Sequence, residues 1–123
     1  MLGTYNQALG RFDRAIMAYR SAELLQEREG KARLHFWIGD CLEAQGKREE
    51  ALAAFLKVAY LYGDQGLWGA TATLRAAALC EAAGDLDQAR PLYEKVRAEQ
   101  GEASELGRAA AEALQRLPGR GER

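Results

Sequence analysis

Apolar residues recur at helical spacing along most of the chain. Leu34, Ile38, Cys41 and Leu42, for example, stand at relative positions 0, 4, 7 and 8, which form one face of a helix. The same spacing predicts seven helices over residues 2–9, 13–26, 31–45, 48–62, 70–83, 87–100 and 104–117. No alternating strand pattern competes with it. We therefore predict an all-α chain.

Glycines, alanines and aromatics repeat together. Gly10, Gly46 and Gly84 each precede an alanine by five residues, and an aromatic follows that alanine by four. The alanines lie 36 and 38 residues apart. A period of this length with one turn glycine per unit is typical of stacked helical hairpins. Such a hairpin cannot bury its own apolar face, so neighbours must stack, and the stack presents a concave surface.

These units predict one helical-repeat domain over residues 1–117 with the architecture of a right-handed α-α superhelix. Three helical hairpins are expected at about residues 1–29, 31–65 and 69–102. A capping helix follows over residues 104–117, and a flexible tail over 118–123. The first hairpin is too short for a full first helix. We therefore expect a truncated repeat that belongs to a longer protein.

The repeated residues resemble the signature of the tetratricopeptide repeat family. In that family a small residue stands where the two helices of a hairpin cross, a glycine forms the turn, and the second helix carries an alanine and an aromatic. The small residues here are Gly3, Gly39 and Ala77, the turn glycines are Gly10, Gly46 and Gly84, the alanines are Ala15, Ala51 and Ala89, and the aromatics are Tyr19, Phe55 and Tyr93. The resemblance covers roughly residues 2–117 and implies a TPR-like solenoid that binds proteins.

Two features depart from the common family pattern. Gly63 and Gly101 replace the proline that usually closes each unit, and the units exceed the usual length of about 34 residues. Longer units with a capping helix are similar to bacterial cell-envelope members. Among those are the Tol–Pal-associated cell-division coordinator and the lipoproteins of outer-membrane assembly. This resemblance favours the periplasm or cell envelope, with the cytoplasm as the alternative.

Composition argues against several classes of function. Charged residues make up 28% of the chain with a net charge of −1, which disfavours nucleic acid as the partner. No apolar stretch approaches the ~20 residues of a membrane span, so no membrane insertion is expected. Cys41 and Cys80 lack metal-ligand spacing and are expected to be buried. With a single histidine in the chain, we expect no enzyme activity, and no cofactor or metal.

A partner-binding groove is predicted on the first helices of the hairpins, which line the inner curve of such a stack. Its residues are Arg33, Phe36, Trp37, Asp40 and Glu43 and, 38 residues later, Thr71, Leu74, Arg75, Ala78 and Glu81. An exposed Phe36–Trp37 pair is typical of a contact site. The alternative is that one of the two rings folds onto a neighbouring helix and is half-buried.

Two other aromatic side chains are given structural roles. His35 lies beside the core stripe and is expected to be a packed, hydrogen-bonded imidazole. Trp68 is expected to end a loop just before a helix and to pack as a hydrophobic staple on Tyr60 or Tyr62.

The resulting hypothesis is a non-catalytic interaction module that holds a partner peptide or helix with an apolar anchor in the groove. Phe36 and Asp40 stand where family members that clamp carboxylates have a basic residue and an amide, which disfavours an acidic C-terminal tail as the ligand. Two alternatives stay open. One is a structural element that forms homo-oligomers through its exposed ends. The other is an accessory domain of a longer enzyme or regulator.

Overall fold

All regular secondary structure is helical in the computed structural model, which describes residues 2–23, 28–63 and 67–118. The seven helices of these ranges are α1 (Leu2–Ala8), α2 (Phe12–Glu23), α3 (Arg28–Ala44), α4 (Arg48–Leu61), α5 (Leu67–Ala82), α6 (Leu86–Gln100) and α7 (Glu105–Arg116). The prediction of an all-α chain is confirmed. The predicted end of the second helix at Gln26 and the predicted tail from residue 119 onward lie outside the described residues.

Two helices begin three residues earlier than the sequence indicated. α3 begins at Arg28 instead of residue 31, so Gly30 lies inside a helix. α5 begins at Leu67 instead of residue 70, so Gly69 is also helical. A β-carbon at Gly69 would lie 2.8 Å from the α-carbon of Gly63. Gly69 is therefore required by a close approach of two backbone segments, and it does not mark a loop.

Glycines with left-handed backbone end three of the helices. Gly10, Gly46 and Gly84 have φ values of 76°, 79° and 80°. At the end of α3 the Gly46 N–H donates to the Glu43 carbonyl, and the Lys47 N–H donates to the Leu42 carbonyl, both at 2.9 Å. This pair of bonds is the Schellman motif, and it satisfies carbonyls that the helix end would otherwise leave unbonded.

The chain divides into two compact units, Met1–Gly69 and Ala70–Arg123. Within the first unit, Gly39 on α3 meets the buried ring of Phe55 on α4, where a β-carbon would lie 2.8 Å from Cε1. Gly3 on α1 meets the buried ring of Tyr19 on α2 in the same way, with Cδ1 2.6 Å from the position of a β-carbon. The absence of a side chain at both glycines creates the space that each ring fills.

The second unit contains most of α5 together with α6 and α7. Ala77 and Tyr93, which have the same sequence separation as Gly39 and Phe55, are both buried there. Ser104 caps α7, since its Oγ accepts a hydrogen bond of 3.0 Å from the Gly107 N–H. Gly107 also packs directly against the Gly101 carbonyl, which leaves no room for a side chain.

Replacing Gly39 by alanine is expected to destabilise the protein. Overpacking against the buried ring of Phe55 costs about 1–3 kcal/mol. The better helix propensity of alanine offsets roughly 1 kcal/mol of this cost. Chemical denaturation of Gly39→Ala, Phe55→Leu and the double variant measures this. We expect the double variant to be more stable than the sum of the two single effects predicts, because the smaller side chain makes room.

Gly46→Ala is the matched control, because nothing lies within 4 Å of the position of its β-carbon. Its expected cost of about 1 kcal/mol comes from the left-handed backbone alone. Its effect on the free energy of unfolding should therefore add to that of Phe55→Leu without coupling. Equal coupling of Phe55→Leu to Gly39→Ala and to Gly46→Ala would contradict the steric account of Gly39.

Candidate protein-binding surface

Five aromatic rings of the first unit form a continuous series, here called the aromatic cluster. The centroid distances are 5.3 Å from Tyr19 to Trp37, 6.3 Å from Trp37 to Trp68, 5.4 Å from Trp68 to Phe36, and 5.4 Å from Phe36 to Phe55. The contacts are tilted or edge-on, which are the geometries that aromatic pairs favour. The cluster thus joins α2, α3, α4 and the first turn of α5.

The two ends of the aromatic cluster are buried and its middle is partly exposed. Tyr19 and Phe55 are fully buried, whereas Phe36, Trp37 and Trp68 are half-buried. Both rings of the predicted Phe36–Trp37 pair therefore lie against neighbouring rings and still reach the surface. The buried rings pack against Phe36 and Trp37, and Trp68 packs against both of these, so each partly exposed ring is supported by other rings of the cluster.

Trp68 belongs to this cluster, and its predicted role as a staple is wrong. It lies in the first turn of α5, not in a loop, and its ring packs on Phe36 and Trp37. Tyr62 instead stacks on the buried ring of His35, with centroids 5.9 Å apart, and Tyr60 is 68% exposed. The prediction failed because the early start of α5 turns Trp68 toward α3.

A cation covers one of the surface rings. The guanidinium carbon of Arg33 lies 5.4 Å from the centroid of the Trp37 ring, which is within the range of a cation–π contact. The Arg33 Nε is buried and has no hydrogen-bond partner among the described residues. The aromatic cluster therefore has one positively charged edge.

A hydrogen-bonded chain runs beside the cluster. The Tyr19 hydroxyl donates to Gln7 Oε1 at 2.6 Å, and Gln7 Nε2 donates to Asp40 Oδ2 at 2.7 Å. Burial raises the pKa of the Tyr19 hydroxyl, so it remains a donor at neutral pH. These bonds fix Asp40, a residue of the predicted groove, in place on α3.

The predicted groove residues of α5 lie in the second unit. Thr71, Leu74 and Arg75 are partly exposed and Ala78 is exposed. Glu81 is held inside its own unit, because both of its carboxylate oxygens accept hydrogen bonds of 2.9 Å from Arg116 on α7. A partner that contacts the Glu81 carboxylate would have to compete with Arg116.

Glu81 also accepts a hydrogen bond of 2.6 Å from the Tyr93 hydroxyl. The Arg116 bonds lower the pKa of Glu81, and burial raises the pKa of Tyr93. Tyr93 and Glu81 are separated by twelve residues, as are Tyr19 and Gln7. The bond between Tyr93 and Glu81 was not predicted from the sequence, although a repeat tyrosine with a polar residue twelve positions earlier is a signal that could have indicated it.

Neither thiols nor metal ligands indicate another chemistry. Burial raises the pKa of the Cys41 thiol to about 11 and also raises that of Cys80, so both stay protonated and unreactive at neutral pH. Within residues 2–23, 28–63 and 67–118, no group of three or more His, Cys, Asp or Glu side chains could hold a metal ion. None of the helices in these ranges has both the length and the apolar character needed to cross a bilayer.

The hairpins with their turn glycines and close glycine–ring contacts define a protein of the helical-repeat class. The family model described as tetratricopeptide repeat matches residues 30–98, more than half of the chain. The chain belongs to the tetratricopeptide repeat family. The resemblance identified from the sequence is confirmed at this level.

The fold is also similar to a solved structure, the crystal structure of PcrH in complex with the chaperone binding region of PopB. The TM-score is 0.68 at 24% sequence identity, over 93% of this chain and 86% of the matched chain. At this identity the likeness establishes the fold, and the predicted TPR-like architecture is confirmed. No curated protein matches the chain in sequence.

Removing the Arg116 side-chain charge is expected to loosen α7. Arg116→Gln loses both bonds to Glu81, and we expect a cost of about 1 kcal/mol because 57% of the Arg116 side chain is exposed to solvent. Because folding lowers the pKa of Glu81, this contribution is complete above its ordinary pKa of 4.5 and is lost as the pH falls through the lowered value. Urea denaturation between neutral and acidic pH measures it, with hydrogen exchange of the α7 amides.

Lys95→Gln is the control, because it breaks an exposed ion pair between two residues of the same helix, Lys95 and Glu99 of α6. Its expected effect is roughly 0.3 kcal/mol, with no change in α7 exchange. Equal effects of the two substitutions would show that Arg116 does not hold α7 in place.

Proposed function

We propose that the chain is a non-catalytic protein-interaction module and that the exposed middle of the aromatic cluster is its contact surface. The observation that carries the proposal is the arrangement of Phe36, Trp37 and Trp68. All three rings are half-buried and contact one another through Trp68, and two buried rings support Phe36 and Trp37. Aromatic side chains of this kind dominate binding energies, at about 2 kcal/mol or more each when a partner removes them from water. The surface is suited to a peptide or helix with an apolar anchor.

The family and the fold support this function. Tetratricopeptide repeats stack hairpins that present the surfaces of successive helices to a partner. The PcrH structure holds a region of another protein, PopB, on a similar fold. The α5 residues of the predicted groove and the bacterial cell-envelope assignment stay predictions.

The described residues favour binding over catalysis. His35 is buried against Tyr62, and the two cysteines have raised thiol pKa values. The usual base of a nucleophile–base pair is histidine, and the chain's one histidine is this buried His35.

Phe36→Ala is expected to weaken partner binding by about tenfold or more, because it removes a ring from the centre of the contact. Peptides are first selected from a random display library on the whole chain. Their affinities are then measured by fluorescence anisotropy of the labelled peptides. The chain's two tryptophans, Trp37 and Trp68, both lie in the cluster, so a change in tryptophan emission on binding would locate the peptide there.

Tyr60→Ala is the matched control, since Tyr60 is a 68% exposed aromatic outside the cluster. Phe36→Met keeps most of the side-chain volume and is used if Phe36→Ala loses its helical circular dichroism. Unchanged affinity in the Phe36 variant that keeps its helical circular dichroism, or unchanged tryptophan emission at saturating peptide, would contradict the proposal.

Self-association is the competing function, and exposed apolar side chains on the first hairpin give it a basis. Leu9 is 51% exposed and Met17 is 69% exposed. Sedimentation velocity over a range of concentrations separates the two functions. A monomer that binds selected peptides supports the interaction module. A stable multimer with tryptophan emission already shifted toward that of buried rings supports self-association.

A further inference from the structure

Arg33 places a cation at the edge of the aromatic cluster. Its guanidinium lies over the Trp37 ring, and its buried Nε lacks a hydrogen-bond partner among the described residues. A guanidinium held against a ring keeps its remaining donors in a fixed plane, and this geometry matches a carboxylate.

We infer that the partner carries an acidic side chain next to its apolar anchor, and that Arg33 binds this carboxylate. The inference rests on the proposed function and adds the chemistry of the partner. Charge complementarity at the edge of an apolar contact contributes to specificity and orientation more than to total affinity.

The geometry of α3 limits where the acidic residue can stand. Arg33 is one helical turn from Trp37, so their β-carbons are about 5–6 Å apart. An extended peptide advances about 3.3 Å per residue. The carboxylate should therefore lie one or two residues from the anchor that covers the rings.

The charges of α3 also give the peptide a direction. Arg33 precedes the surface rings on α3, whereas Asp40 and Glu43 follow them. After Trp37, α3 carries no cationic side chain, so an acidic residue on the far side of the anchor would find no counter-charge on this helix and be disfavoured. The expected partner is acidic on one side of its anchor only.

Parallel selections from one random display library test this inference, using wild type, Arg33→Gln, Arg33→Lys and Lys31→Gln. The peptides are displayed by their C-terminal end, so no free terminal carboxylate competes with side chains. Lys31→Gln removes a charge of the same sign from the same helix. Lys31 lies about 200° around the helix axis from Arg33 and therefore faces away from Trp37. We expect Asp and Glu enriched one or two positions to one side of the anchor in the wild-type, Arg33→Lys and Lys31→Gln pools.

The enrichment should disappear in the Arg33→Gln pool. For a selected peptide, Asp→Asn at the enriched position should weaken binding to wild type by about fivefold and have little effect on binding to Arg33→Gln. On wild type, the difference in affinity between the Asp and Asn peptides should shrink at high salt. Apolar anchors without acidic enrichment, or enrichment that survives in Arg33→Gln, would overturn the inference and leave the proposed function intact. Pools with no apolar anchor would overturn both.

Discussion

The rings of Tyr19 and Phe55 occupy space that a β-carbon on Gly3 or Gly39 would close, and much of the first unit depends on this contact. Each ring fills the gap between the two helices of its hairpin, where no other side chain fits. Each ring also packs against an aromatic that reaches the surface. The Phe55 ring lies 5.4 Å from Phe36, and the Tyr19 ring lies 5.3 Å from Trp37. The residues that close the hairpins therefore also support the candidate binding surface.

Polar contacts supplement this packing in a way that differs between the units. In the first unit Tyr19 bonds to Gln7, an amide that can accept from the tyrosine and donate to Asp40. In the second unit Glu81 takes the equivalent position with respect to Tyr93, and its charge makes it a partner for an arginine of α7. An amide serves where the next partner is a carboxylate, and a carboxylate serves where it is a cation.

The sequence was sufficient for features that depend on local geometry and periodicity. The number of helices, the all-α class and the left-handed turns at Gly46 and Gly84 follow from spacing and from the conformational freedom of glycine. It was insufficient where a glycine had two possible meanings. Gly69 is indistinguishable in sequence from a loop glycine, and only the approach of the Gly63 backbone shows that it makes room for a neighbouring segment.

Because the start of α5 was predicted too late, the contact of Trp68 with Phe36 and Trp37 was not predicted from the sequence. Phe36 and Trp37 could be placed on one face of α3 from spacing, but their exposure depends on what packs beside them. Trp68 decides this, because its ring contacts both and leaves each half-buried. A fully exposed pair of rings could adapt to many partners, but binding would cost it side-chain conformational entropy. Rings that are already fixed by a third ring lose little of this entropy when a partner binds. Arg33 lies over Trp37 at the edge of this apolar surface, where under the proposed function its charge would distinguish one peptide from another.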